Sequence, residues 1–239
     1  MTTSTKISVR ALAFGGKFIG SHVGFATIDI YGPDDPNQPL ATGLTNQGLV
    51  AGTDGSGVTP LIMAQAYPWG FPVRADQATD FTAEIPLAEP TVLTFVATSV
   101  ADPRISASCN RLVLPGVALT GAMAVVLVVP GLLTELTAPA AGASIAAGSS
   151  TTITANVRMM CGCLIDNVFW PEANFSVQAM ISNGSEVLIL PLSYAGQPST
   201  FSAPYTFPVP GQYEISIVAT EFNGNSGSSA PAGVTVTPN

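Results

Sequence analysis

The residues best suited to chemistry form one short run in this sequence, Arg158-Met159-Met160-Cys161-Gly162-Cys163. Thioether and thiolate sulfurs are soft ligands that select Cu(I). The Cys-Gly-Cys spacing lets two sulfurs approach one ion from a short loop. Met159, Met160, Cys161 and Cys163 are therefore a candidate site for copper or another soft metal.

The same sulfurs also have structural interpretations. The chain has three cysteines, Cys109, Cys161 and Cys163, so at least one is free, metal-bound or paired outside the chain. Cys161 or Cys163 could pair with Cys109, or the two could pair with each other in a strained, reducible ring. The two methionines could fill the core. Because the run contains no histidine, we favour a disulfide or buried thiols over copper, and expect no cofactor.

The sequence offers little support for a catalytic site. The chain has one histidine, His22, so a Ser-His-Asp triad would have to use it. Its position between Ser21 and Val23 is more typical of a surface or hydrogen-bonded residue. The glycine-rich stretch 52–57 lacks the lysine and the following helix of a phosphate-binding loop. No spacing selects a pair among the carboxylates Asp76, Asp80, Glu84 and Glu89. The sequence therefore predicts a protein that is not an enzyme.

Charge is sparse and mostly negative. Charged residues make up 9% of the 239 residues, where an ordinary soluble domain has about 25%. The net charge is -8, and the seven basic residues form no cluster that would attract nucleic acid or an anionic membrane. A surface of small polar and apolar side chains is typical of a β-protein packed against partners. We expect protein partners or self-assembly, no nucleic acid, and membrane association only through a partner.

Two aromatic-proline segments are candidate interface loops. They contain three rings at Tyr67, Trp69 and Phe71, and two more at Phe169 and Trp170. Exposed aromatic patches usually mark interfaces. Alternatively, both segments tuck back as lids over the ends of their domains.

Short apolar runs separated by turn signals predict an all-β fold of two tandem β-sandwich modules, residues 1–133 and 134–239. The first half gives predicted strands at 7–14, 25–31, 40–45, 80–85, 92–99, 106–114 and 122–129. The second half gives them at 136–139, 145–148, 151–157, 175–182, 187–192, 201–207, 213–220 and 234–236. This spacing predicts an Ig-like sandwich, in which Tyr213 occupies the place of a tyrosine corner with its hydroxyl bonded to nearby backbone.

The apolar stretch Leu112–Leu133 has about the length of a membrane span. Prolines and glycines interrupt this stretch, and its run of valines fits buried strands better. We therefore expect strands here, and the alternative is a membrane anchor. The start, Met1-Thr-Thr-Ser-Thr5, lacks the basic and apolar regions of a signal peptide. Either the protein is cytoplasmic or the numbering belongs to a processed or recombinant form. The composition favours an exported protein, in the periplasm or secreted.

Parts of the sequence resemble known modules. Residues from about 134 to 239 resemble the bacterial Ig-like domains of exported proteins, in Leu136-Thr-Ala-Pro139, in the segment 210–219 and in Asn223-Gly-Asn225-Ser-Gly227. The first half is similar to prealbumin-like (carboxypeptidase-regulatory-like) modules, in segments 24–30 and 40–45, although the usual Asp-x-x-Gly turn reads Asn46-Gln-Gly48. The whole chain resembles uncharacterised exported bacterial proteins that pair two such modules. The resemblance implies a fold and no activity.

Two hypotheses of function follow. The first is a non-enzymatic extracytoplasmic structural or binding module, an accessory subunit of a larger assembly or filament. The second is a periplasmic Cu(I)-binding or thiol-redox protein that uses Met159, Met160, Cys161 and Cys163.

Overall fold

The computed structural model describes residues 1–16, 18–19, 25–45, 80–166 and 169–239, and this part of the chain is almost entirely β-structure. The first strands are β1 (Thr3–Ala13), β2 (Ala26–Tyr31), β3 (Ala41–Leu44), β4 (Phe81–Leu87), β5 (Thr91–Ser99), β6 (Ser106–Val113) and β7 (Val125–Val129). The later strands are β8 (Leu132–Ala138), β9 (Ser144–Ala146), β10 (Ser150–Met159), β11 (Phe175–Ser182), β12 (Val187–Tyr194), β13 (Thr200–Thr206), β14 (Gly211–Glu221), β15 (Ser226–Ser228) and β16 (Ala232–Thr237). Single-turn 3-10 helices occur at Gly121–Met123 and Glu172–Asn174.

The chain forms two compact units. Unit 1 consists of Met1–Pro130 with Met160–Gly162, and unit 2 consists of Gly131–Met159 with Cys163–Asn239. The prediction of separate folding domains at 1–133 and 134–239 stays a prediction, because a compact unit need not fold on its own.

Unit 1 is a sandwich of two small sheets. One has the order β4-β1-β7, in which β1 is antiparallel to β4 and parallel to β7. The other is antiparallel with the order β3-β2-β5-β6. Along β5 the buried side chains are Leu93, Phe95, Ala97 and Ser99, and the residues between them face outward. This period of two is what a strand with one buried face requires.

A buried ion pair ties three segments of unit 1 together. Nε of Arg10 on β1 donates to Oδ1 of Asp80 at 2.7 Å, and Nη2 donates to Oδ2 at 3.2 Å. Nη1 donates to the carbonyl oxygen of Gly121 at 3.1 Å. Because each end of the guanidinium has an acceptor, the buried charge is paired and hydrogen-bonded.

Unit 2 is an Ig-like sandwich. Its strands follow the order β8-β10-β13-β12-β11-β14-β16-β9, with β15 also paired to β14. The link between β13 and β12 is short and runs through Ser193 and Tyr194. The strand β9 pairs in parallel with β16, and the other pairings are antiparallel.

Tyr213 forms the predicted tyrosine corner of unit 2. Its ring is buried, and its hydroxyl donates to the carbonyl oxygen of Val209 at 3.1 Å. The ring of Phe207 packs edge-on against it, with the centroids 5.0 Å apart. The contact fixes the turn that enters β14, so the prediction of a buried tyrosine bonded to local backbone is confirmed.

The all-β prediction is confirmed, and most strand positions agree with the pattern of the sequence. The strand β11 begins and ends as predicted, at Phe175 and Ser182. The stretch 112–133 contains the end of β6, a 3-10 turn, β7 and the start of β8. In the described residues, no helix is long and apolar enough to cross a membrane.

We expect Tyr213→Phe to lower the free energy of unfolding by about 1–2 kcal/mol, because it removes one hydrogen bond and leaves a carbonyl without its donor. Urea denaturation followed by fluorescence measures the change. The matched control is Tyr205→Phe, on a partly exposed neighbouring ring, which should cost less than about 0.5 kcal/mol. Equal losses in the two variants would contradict a specific role for the Tyr213 hydroxyl.

Candidate functional site

The methionine-cysteine run forms a tight turn at the end of β10. Arg158 makes an isolated antiparallel bridge with Leu164. The N–H of Met159 donates to the carbonyl oxygen of Cys163 at 3.0 Å. Gly162 has φ of 79°, a left-handed conformation that favours glycine. The conformation of the turn therefore accounts for the glycine between the two cysteines.

Three of the four predicted sulfur ligands are fully buried. Met159, Met160 and Cys161 have no exposed surface, whereas Cys163 is partly exposed. Within unit 1, a Cβ built on Gly16 would lie 3.1 Å from Sγ of Cys161, so this thiol packs closely against the glycine. Such packing is what core-filling sulfurs require.

Metal binding by these residues stays a prediction. Among the described residues, no group of three or more His, Cys, Asp or Glu side chains is placed to hold a metal ion. A soft site would instead have to combine Met159, Met160, Cys161 and Cys163, two thioethers with two thiols. His22, considered as a further ligand, lies outside the described residues.

Cys109 is a free, half-buried thiol on β6. The predicted alternative of a disulfide from Cys109 to Cys161 or Cys163 is therefore not what the structure contains. Burial raises the pKa of the Cys109 thiol, an effect that the positive charge of Arg111 partly opposes. A raised pKa leaves little thiolate at neutral pH, so Cys109 is a poor nucleophile.

Of the two predicted interface loops, the structure describes the aromatic residues of the second. Tyr67, Trp69 and Phe71 lie outside the described residues. Phe169 is 53% exposed, but Trp170 is only 4% exposed, with the ring centroids 6.0 Å apart. Trp170 thus tucks inward, as the lid interpretation expects. As a contact surface for a partner, this part of the loop offers Phe169 and not the indole of Trp170.

Another exposed apolar segment of the described residues lies on β12. Val187, Leu188 and Ile189 are consecutive, and all three are exposed, Ile189 by 56%. One edge of this strand pairs with β11 along residues 187–192, and its last residues, Ser193 and Tyr194, pair with β13. In the part of the chain that the structure describes, no strand pairs with the second edge of residues 187–192. Unpaired N–H and C=O groups at such an edge are a template for another strand.

The exposed residues continue across the sheet. Ile189 lies opposite Met180 on β11, and Val187 lies opposite Ser182. Residues directly opposite each other share a face, so Met180, Val187 and Ile189 lie on one face of the sheet. Leu188 belongs to the other face, which holds the buried Leu192 further along the strand. We call Met180, Val187, Leu188 and Ile189 the edge patch.

Two features of the sequence indicate the edge patch, although neither is needed to predict the strand itself. A strand with one solvated face alternates apolar and polar residues, whereas 187–190 reads Val-Leu-Ile-Leu without alternation. Pro191 follows, and proline within a strand indicates an edge strand because it cannot donate to a ladder. Together these features indicate an edge strand with apolar residues on both faces.

A buried carboxyl group is the second feature that the sequence reading missed. Glu221 follows Tyr213, Ile215, Ile217 and Ala219 on the inward face of β14, and it is 6% exposed. Its Oε2 has no hydrogen-bond partner among the residues that the structure describes. Burial raises the pKa of Glu221, while hydrogen bonds with the side chains of Asn223 and Asn225 act in the opposite direction.

Asn225 holds the turn beside this carboxyl in place. Its Oδ1 accepts from the N–H of Gly131 at 2.7 Å, and its Nδ2 donates to the carbonyl oxygen of Gly131 at 3.2 Å. The side-chain amide therefore joins the turn after β14 to the residue before β8. These two hydrogen bonds therefore stabilise the packing of unit 2.

Comparisons with known proteins find distant structural similarity. No protein-family model matches the chain, and no curated protein matches it. A crystal structure of an engineered protein is 21% identical over 50% of this chain and 24% of its own, with a TM-score of 0.34. The fibronectin(III)-like modules of Clostridium thermocellum CbhA are 21% identical over 44% of this chain and 94% of theirs, with a TM-score of 0.31. The major pilin subunit BcpA of Bacillus cereus is 10% identical over 98% of this chain and 69% of its own, with a TM-score of 0.33.

The chain thus spans about a quarter of the engineered protein and most of the other two. At these TM-scores the likenesses carry no argument about what this chain binds or does.

Glu221 should make the stability of unit 2 depend on pH. Its raised pKa means that the folded chain holds this proton more tightly than the unfolded chain does. The stability from protonation is complete below the unfolded-state pKa of about 4.3 and is lost as pH rises through the raised folded-state pKa. We therefore expect the free energy of unfolding of the natural chain to fall, relative to that of Glu221→Gln, as the pH rises above about 4.3.

Urea denaturation at several pH values measures this difference. The matched control is Glu214→Gln, which changes an exposed glutamate on the same strand. It should keep the pH dependence of the natural chain. If Glu221→Gln followed the natural chain across the same pH range, burial of Glu221 would not be the cause.

Proposed function

We propose that this chain is a non-enzymatic structural or binding module that acts outside the cytoplasm as an accessory subunit of a larger protein assembly or filament. The observation that carries the proposal is the edge patch on β12. Three consecutive exposed apolar residues on an open strand edge leave both apolar surface and backbone groups exposed to water. Such a surface in a soluble protein usually marks a contact with another protein.

Unit 1 carries exposed apolar residues of its own, which supports the proposal. Val92 on β5 and Leu112 on β6 lie opposite each other, and both are exposed. On β7, Val126 and Val128 are exposed as well. Both β6 and β7 are the last strands of their sheets. A chain with 9% charged residues has few charges with which to protect such edges from association.

The environments of several carboxylates support a role without catalysis. Asp80 is held by Arg10, and Oε2 of Glu84 accepts a hydrogen bond from the hydroxyl of Ser4. Glu221 lies among inward-facing apolar residues of β14. A pair of carboxylates for acid-base hydrolysis must instead converge across a cleft.

The pairing of a prealbumin-like module with a bacterial Ig-like domain, with a boundary near 133/134, is part of the same proposal. The two small sheets of unit 1 support the first module. The tyrosine corner and the strand order of unit 2 support the second. Location in the periplasm or outside the cell rests on the composition and on the resemblance to exported proteins.

Native mass spectrometry of the chain isolated from its source without reductant tests this function. We expect further subunits to remain bound to the natural chain and to be lost from Ile189→Lys, because a lysine at this edge cannot be buried without a partner charge. The matched control is Phe222→Lys, which adds the same charge at an exposed position off β12.

A chain without bound subunits would contradict the proposal. A copper-sized mass increment that Cys161→Ser with Cys163→Ser removes would instead favour the soft-metal hypothesis.

A further inference from the structure

We infer that the strand that covers the open edge of β12 is β12 of a second copy of this chain, paired antiparallel across a two-fold axis. This inference rests on the proposed function, since it names the partner of the edge patch. Among the described residues, no strand pairs with the second edge of residues 187–192, and its backbone groups require an extended strand, because only a strand offers N–H and C=O groups at the matching spacing. Pro191 has no N–H, so at its position the strand can only accept a hydrogen bond.

The geometry of the edge suits a pair of identical copies. A two-fold axis perpendicular to the sheet relates two antiparallel copies of one edge and keeps the same face of both copies on one side. Met180, Val187 and Ile189 of the two copies then form one continuous apolar face. Centring the axis on Ile189 keeps the whole ladder between residues 187 and 191, clear of the positions where β13 already pairs. In this register, the two Ile189 side chains lie opposite each other.

Charge also favours a second copy over a charged partner. The chain carries a net charge of -8, which opposes self-association in general. Yet no charged residue occurs between Val187 and Tyr213, and the carboxylates that flank this segment are Glu186 and Glu214. With the axis on Ile189, Glu186 lies opposite Leu192 of the other copy, so the ladder brings no carboxylates together. A basic partner would find no acidic side chain between residues 187 and 192.

Sedimentation velocity of the purified full-length chain, with reductant present to exclude disulfide-linked pairs, tests the inference. We expect the natural chain to form a dimer as its concentration rises. Ile189→Lys and Ile189→Glu should each weaken dimerisation by at least about tenfold, because the new charges face each other across the axis. An equimolar mixture of the two variants should recover the dimer, because Lys then faces Glu.

Two controls keep the result specific. Phe222→Lys changes charge equally at an exposed site away from β12 and should dimerise like the natural chain. Urea denaturation at a concentration where the natural chain is a monomer should give the same midpoint for both Ile189 variants as for the natural chain, since an exposed side chain contributes little to stability.

A monomer at every concentration would overturn the inference, as would Ile189 variants that dimerise as well as the natural chain. If the natural chain is a monomer but retains other subunits from its source that Ile189→Lys loses, this inference fails and the proposed function stands. If no subunit is retained either, both fail.

Discussion

In both units, alternate side chains along the central strands are buried, and the rest of the structure depends on this constraint. The strand β10 buries Ile153, Ala155 and Val157, and β14 buries Ile215 and Ile217. With 9% charged residues, stability rests on this burial and on the backbone ladders. Apolar burial contributes about 25 cal/mol for each square ångström removed from water. Sandwiches built in this way still have strands at the edges of their sheets, and edges attract other strands.

Polar side chains within these cores are accommodated in two ways. Arg10 and Asp80 form a paired charge with hydrogen bonds on both sides, so their burial leaves no charge uncompensated. Glu221 is different, because Oε2 has no partner and burial raises its pKa. A carboxyl of this kind stabilises unit 2 best when protonated. The burial of Glu221 therefore makes the stability of unit 2 depend on pH.

The sequence predicted features that depend on local pattern. Strand β11 and the tyrosine corner at Tyr213 follow from alternation and from a turn signal close in sequence. The exposure of a side chain depends on contacts from distant segments. The sequence therefore could not show that Phe169 is exposed while its neighbour Trp170 is buried. The edge patch depends on which strands flank β12, and that pairing joins residues far apart in the chain. The buried Glu221 looked like any surface glutamate, because its burial follows from the register of β14.

Hydrogen exchange of the backbone amides of Val187, Leu188, Ile189 and Leu190, compared between dilute and concentrated protein, tests most directly whether the edge of β12 is where this chain assembles. An amide that joins a ladder exchanges more slowly because it must open before exchange. Alternate amides along a strand point to opposite edges, so those of this segment that face β11 are already in a ladder. The account predicts that protection of the amides that face the open edge rises with concentration, while the amides of β14 in the core stay equally protected. Equal exchange of residues 187–190 at all concentrations would contradict it.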